Sequence, residues 1–323
     1  MVSNRTPAKA FSLIELSLVI VILSIIIAGT LSNSVSSAQN NKAKITNDRI
    51  ALIYQALGRY LRTNQSLPCP ASLIKMKTVA SDYGLAFNCS AGPTPAGTDG
   101  VYKSSVATEL YYGAVPTQTL GLLDEVAEDG WGSKFSYAIN YRFTAATDTS
   151  SNANALLGFG GTSTSSLITT QGLTTNVFVI ISHGANKAGA FDANSTSKIT
   201  SSSNTDESSN DVGTITVGSA NFDATFIASA TSSGYDDIIF AKTRDNLVAD
   251  FQLQWLIPCQ GGSGNQLTLY GTNIQWPAGR YNEVVNADTT TLCPVGYRNS
   301  VFKATRRCGA NGTWAAAVLT PCT

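Results

Sequence analysis

The feature that most constrains this chain is an apolar run close to its start. From Phe11 to Leu31 there are 21 residues and one formal charge, Glu15. As a helix rising 1.5 Å per residue the run is ~30 Å long, enough to cross the hydrocarbon of a bilayer. Arg5 and Lys9 precede it. The positive-inside rule therefore predicts a single-pass protein with a cytoplasmic N-terminus and everything after the run exported. Glu15 is the odd residue. A carboxylate at the centre of a membrane helix costs roughly 2.5–3.5 kcal/mol, and less near an edge. The run contains no opposite charge for it. A free amine at Phe11 would suit it, more readily between neighbouring chains than within one, and such pairing would set an axial stagger.

Lys9-Ala10-Phe11-Ser12-Leu13-Ile14-Glu15-Leu16-Ser17 resembles the processing and methylation site of type IV prepilins and type II secretion pseudopilins. In that family a membrane aspartyl peptidase cuts before the Phe and N-methylates the new terminus. The resemblance implies cleavage between Ala10 and Phe11, methylation at Phe11, and Glu15 as the acid of assembly. It also implies a bacterial inner-membrane location. The family usually carries Gly before the cut, where this chain has Ala10. Two other readings of the run are open. An ordinary secretory signal could be cut after Ser36-Ser37-Ala38, although signal apolar regions are only 7–15 residues long. That reading would also leave Glu15 unexplained; the other is a plain single-span anchor.

Beyond the run, Ile45, Leu52, Ile53, Ala56, Leu57, Tyr60 and Leu61 recur at three- and four-residue steps. Lys44, Asp48, Arg49 and Arg59 lie largely off that stripe, so an amphipathic helix is predicted. Ser32 to Asn41 is polar and open to a bend, and Pro68 ends the helix. The rod from Phe11 to Asn64 would span ~80 Å. An apolar first half followed by a one-sided second half is the pilin plan.

Lysine plus arginine equals aspartate plus glutamate, 21 each, and charged residues make up only 13%. Nothing in this balance suggests an electrostatic nucleic-acid surface. Ser, Thr, Asn and Gly supply the polarity instead, which suits an extracytoplasmic β-rich protein. The six cysteines include no C-x-x-C pair and there is a single His, so a zinc site is not indicated. An even count beyond an export signal reads as disulfides. Six cysteines allow 15 pairings; proximity favours Cys69–Cys89 and leaves four in the last 65 residues.

The stretch to Gly113 reads as loop. Asp129-Gly130-Trp131-Gly132 is turn chemistry, and Phe135 to Tyr141 alternates like a half-buried strand. A turn of this kind before an aromatic strand resembles the segment after the helix-packed region of major pseudopilins. Trp131 reads as a core anchor. Val177 to Ile181 is a buried strand, Gly213–Val217, Ala224–Ala228 and Asp236–Phe240 are further strands, and Leu247–Leu256 is strand or short helix. Ala145–Ser166 and Asn194–Asn210 are polar and read as exposed loops or insertions.

Two chemistries deserve a test against structure. Ser182-His183-Gly184 invites a hydrolase reading, but no G-x-S-x-G elbow exists, and a turn His bonded locally is the plainer reading; the chain is not expected to be an enzyme. Asp206, Glu207, Asp211, Asp236 and Asp237 could hold calcium, which takes six to eight oxygens, yet no D-x-[DN]-x-[DN]-G spacing occurs. No cofactor is required by the sequence.

The tail carries Cys259, Cys293-Pro294-Val295-Gly296-Tyr297, Cys308, Gly312-Thr313-Trp314 and Pro321-Cys322. This resembles a sushi (complement-control) module, which implies Cys259–Cys308 and Cys293–Cys322 pairs with Trp314 in a small core. The expected organisation is a leader at 1–10, a transmembrane and amphipathic helix at 11–64, a globular domain at 65–256 and a Cys-rich module at 257–323. The expected fold is α+β and pilin-like: a long N-terminal helix, membrane-spanning in its first half, packed on an antiparallel sheet, plus the disulfide-rich β tail. The expected function is a minor pilin or pseudopilin subunit. Its partners would be the prepilin peptidase, sister subunits and the inner membrane, with no nucleic acid. The alternatives are a surface adhesin carried on a pilin stem and a simple membrane-anchored exported protein.

Overall fold

The computed structural model describes residues 13–89, 99–104, 110–144, 168–170, 173–213, 215–216, 219–220, 225–232, 234–253, 259, 261, 267–269, 272–287, 291–292, 301–309 and 312–320. Ala10, Phe11, the polar run from Ala145 to Ser166, Cys293 and Cys322 lie outside the described residues.

Helix α1 runs without a break from Leu13 to Asn64, about 78 Å at the α-helical rise. The stretch from Ser32 to Asn41, open to a bend, stays helical throughout. Ser17 and Ser24 donate their hydroxyls to the carbonyls of Ile14 and Ile20, so their polarity is absorbed by the helix itself. The helix ends at Gln65, a left-handed residue at φ 57° whose N–H returns to the Leu61 carbonyl at 2.8 Å, as C-terminal caps do. Only one face of the second half is buried: Ile50, Ile53, Tyr54, Ala56, Leu57 and Leu61. Ile45 and Leu52, expected on that stripe, are 43% and 52% exposed; a helix with its buried stripe centred on Ile53 and Leu57 turns them outward.

The body is a seven-stranded sheet. Its strands are β1 (Tyr102–Lys103), β2 (Leu110–Ala114), β3 (Ser136–Asn140), β4 (Ile168–Thr170), β5 (Leu173–Ser182), β8 (Thr225–Phe226) and β9 (Ile238–Thr243). Between β5 and β8 lie the short helix α2 (Thr205–Ser208) and the β6–β7 pair (Ile215–Thr216 and Ser219–Ala220). Strand β5 bonds to β3, β4 and β9. Its alternate residues enter different cores. Phe178 and Ile180 join Tyr137 and Ile139 of β3 against α1, together with Leu247, Val248 and Phe251 from α3 (Arg244–Asp250) and its end. Val179 and Ile181 join Ala138, Tyr112, Phe191, Val212 and Phe226 on the other face. The expectation of a half-buried β3 is therefore corrected: Ser136–Asn140 is buried on both faces, because the chain beyond β5 folds back over the side that the alternating pattern assigned to water. Of the Leu247–Leu256 segment, the part up to Asp250 is helix, the end of α3, which Thr243 and Asn246 open with a capping box; residues 254–256 lie outside the described residues.

The expected fold class needs correction. The structure is mixed α/β: β4 and β8 run parallel, so the sheet is not purely antiparallel. Among the described residues no helix is long and apolar enough to cross a membrane. The membrane-spanning first half, and with it the single-pass bacterial inner-membrane location, is overturned.

The tail contains a β-hairpin of β10 (Leu267–Leu269) and β11 (Thr272–Ile274), and a four-stranded sheet centred on β14 (Val301–Arg307). Its partners are β12 (Val284–Asn286), β13 (Thr291–Leu292) and β15 (Val318–Thr320). Cys259 bonds to Cys308, and Cys69 to Cys89. The small core is Ile274, Trp276, Val285 and Ala304, with Trp314 packed at its edge. Trp276, which carried no weight in the sequence, is the more deeply buried tryptophan.

The two halves of α1 should respond differently to truncation. Leu57→Ala is expected to destabilise the body by about 2.5–5 kcal/mol through lost burial and a cavity. Leu18→Ala, at a site 58% exposed, should change stability by less than about 0.5 kcal/mol. Urea denaturation of both variants measures the contrast.

Candidate functional site

Three sites can be built from the described residues. The first is the exposed end of α1. Leu13, Ile14, Leu16, Leu18, Val19, Ile20, Val21, Ile22, Leu23 and Ile25 are all 49–85% exposed, so apolar side chains point outward on every side of the helix. Glu15 stands in its first turn.

The second is the turn Asp129–Gly132, which grips α1 below that end. The Trp131 indole N–H donates to Gln39 at 2.9 Å. The Gly130 N–H donates to the Thr46 hydroxyl at 2.9 Å, and Arg49 donates to the carbonyls of Glu128 and Asp129. Any Cβ at Gly130 would overlap the Lys42 carbonyl, so only glycine admits this approach. Asp129 holds the turn from inside: one oxygen accepts the N–H groups of Trp131 and Ser133, the other the Ser182 hydroxyl at 2.6 Å. Burial pushes its carboxyl above the usual range. Trp131 is thus a half-buried clasp on the helix and not the core anchor that was expected.

The third is a buried polar centre, and strand register creates it. Ser182 at the end of β5 faces Ile238 at the start of β9. The next residue on one strand is His183, and the preceding residue on the other is Asp237. Gly184, at φ 59°, then turns the chain so tightly that a Cβ would strike Asp236. The N–H groups of Ala185 and Asn186 donate to one oxygen of Asp236 at 2.7 and 2.9 Å. Asn204 caps α2 by accepting from Asp206 and Glu207 N–H, which turns Glu207 inward, where Asn186 donates to it at 2.7 Å. Asn210 donates to Asp237 at 2.8 Å.

His183 is wholly buried. Its Nε2 lies 2.9 Å from the Ser136 hydroxyl and 3.4 Å from that of Tyr112, and its Nδ1 lies 4.0 Å from Asp237. Burial lowers its pKa to about 4 and raises that of Asp237 to about 8, so near neutral pH the ring is neutral. Serine, histidine and aspartate lie in a row, but Ser136 and His183 are 1% and 0% exposed. A substrate carbonyl cannot reach the Ser136 hydroxyl in this fold, as acyl transfer requires. His183 is more than a turn residue with local partners, since its ring also reaches β2 and β3.

Of the five acids considered for calcium, the structure gathers Glu207, Asp236 and Asp237. Asp206 instead accepts from Ser229 at 3.0 Å, and Asp211 pairs with Lys198 at 3.3 Å. Residues Asn204 to Asn210 are thus no simple exposed loop. Their buried members Glu207 and Asn210 were hidden among serines in a stretch whose composition reads as solvated.

The chain matches no family model, and no curated protein or solved structure is similar to it.

A second buried charge ties down the covering loops. The Lys134 ammonium, with the residue 1% exposed, donates to the carbonyls of Leu73, Lys75 and Ser195 at 2.5, 2.8 and 3.4 Å. Burial lowers its pKa from 10.5 to about 8. Lys134→Met is expected to destabilise the protein by about 1–3 kcal/mol by stranding those carbonyls. Between about pH 8 and 10.5 the unfolded lysine holds a proton that the folded one has released, so this residue's contribution to stability rises with pH across that window. The stability difference between wild type and Lys134→Met should widen from pH 8 to pH 10.5 in urea titrations.

Proposed function

We propose that this chain is a prepilin-type subunit that assembles through its N-terminal helix with other copies of itself or with related subunits. The observation that carries the reading is the exposed apolar end of α1, Leu13–Ile25, which comes just after Ala10-Phe11 in the sequence and carries Glu15 in its first turn. A helix that is apolar all round must be enclosed on all sides, and an exposed patch of this size marks an interaction surface. The globular body grips α1 only from Gln39 onward in the contacts described. Sister helices side by side would cover the remainder. Cleavage between Ala10 and Phe11 by a prepilin peptidase would free the amine that meets Glu15 of a neighbour, fixing the axial offset between subunits. In this reading the work of the protein is assembly and not catalysis.

Mass spectrometry of the mature chain from its native host should find an N-terminus at Phe11 carrying one added methyl group. Glu15→Leu should be processed normally and assemble at least about tenfold less, the loss expected when about 1.4 kcal/mol of pairing is removed. A mature terminus at Gln39 would sink the proposal, as would undiminished polymer yield from Glu15→Leu in sedimentation assays.

A further inference from the structure

We propose that Glu207, Asp236 and Asp237 together bind one divalent, oxygen-preferring cation, calcium fitting best. Each of the three carboxylates has one oxygen engaged by the protein's own N–H groups. Each also leaves a second oxygen, buried and without a hydrogen bond: Oε2 of Glu207, Oδ1 of Asp236 and Oδ1 of Asp237. Glu207 and Asp237 are 1% and 6% exposed. A bare carboxylate oxygen at that depth is costly unless something fills the gap. The fully buried His183 points at the same place, its Nδ1 unbonded and 4.0 Å from the bare oxygen of Asp237.

Geometry selects the ligand. The three residues offer oxygens that all lie within 4.8 Å of one another. Calcium–oxygen distances of 2.3–2.6 Å place even opposed ligands only about 4.6–5.2 Å apart, so a single ion can touch all three with little movement. Oxygen donors suit a hard cation over a soft one. The remaining positions fall to main-chain carbonyl and water oxygens, which calcium accepts freely. Among the described residues no lysine or arginine forms an ion pair with any of the three. The inward arrangement is built, not incidental. The Asn204 cap turns Glu207 in, the strand register delivers Asp237, and the glycine at 184 lets Asp236 close over the turn. The alternative occupant is a proton shared among the acids, consistent with the raised pKa of Asp237.

The site is independent of assembly through α1, and its test does not involve that helix. Full-length protein, purified in detergent and stripped with EDTA, is titrated with calcium chloride by calorimetry and followed by thermal melting. One ion per chain and a rise in Tm of several degrees are expected. Asp237→Asn and Glu207→Gln should each weaken calcium binding at least tenfold, and their EDTA-treated forms should melt no lower than the EDTA-treated wild type, since each removes a crowded carboxylate. The proposal is overturned if calcium produces neither heat nor a melting shift, which would leave the shared proton. It is equally overturned if both variants keep the full shift, or if only zinc binds. Should one variant fail to fold, the other decides.

Discussion

The structure depends on residues 176–182 of β5 being buried on both faces and on the strand being bonded along both edges. Backbone groups sealed from water must find partners, and a strand in this position finds them only when β3, β4 and β9 are all in place. The same strand sends Phe178 and Ile180 toward α1 and Val179 and Ile181 toward the covering loops. Two cores are thereby locked to one register, and a slip of a single residue would exchange them. Everything at the ends of β5 inherits that precision, including the meeting of His183 with Asp237 and of Ser182 with Asp129.

Parts of this arrangement were legible in the residues alone. The unbroken apolar run from Val177 to Ile181 marks a doubly buried strand, and the spacing of Ile53, Ala56, Leu57 and Leu61 marks the packed face of α1. Cys69–Cys89 followed from proximity, and Cys259–Cys308 from the resemblance of the tail to a sushi module. What misled was pattern read without its cover. Ser136, Ala138 and Asn140 alternate with larger residues and look solvated, yet the segment carrying Phe191 and Val212 closes over them. Residues Ser201 to Asn210 look like linker because serines dominate, and nothing in one dimension shows that Glu207 turns inward. The apolar run from Phe11 to Leu31 likewise argued for a membrane span that the described helix does not present.

The polar centre behind β5 and β9 shows how a fold can concentrate charge without displaying it. Asp129, Glu207, Asp211 and Asp237 are each 1–6% exposed, and they divide into distinct roles. Asp129 organises a turn through N–H donors, Asp211 is matched by Lys198, and Glu207 and Asp237 converge with Asp236. Each environment is set by which backbone N–H groups and side-chain amides point at the carboxylate. That is why these acids end in unlike chemistry.

The clasp formed by Asp129–Gly132 has a mechanical meaning. It meets α1 at Gln39, Lys42, Thr46 and Arg49, immediately before the stretch embedded in the sheet. The helix from Leu13 to that clasp is a lever arm about 39 Å long, and a pull on its far end arrives first at the indole of Trp131. Tension would therefore be shed through a few exchangeable polar bonds at the collar before it reaches the hydrophobic seat of Ile53 and Leu57, so the body can yield at its rim while its interior stays whole.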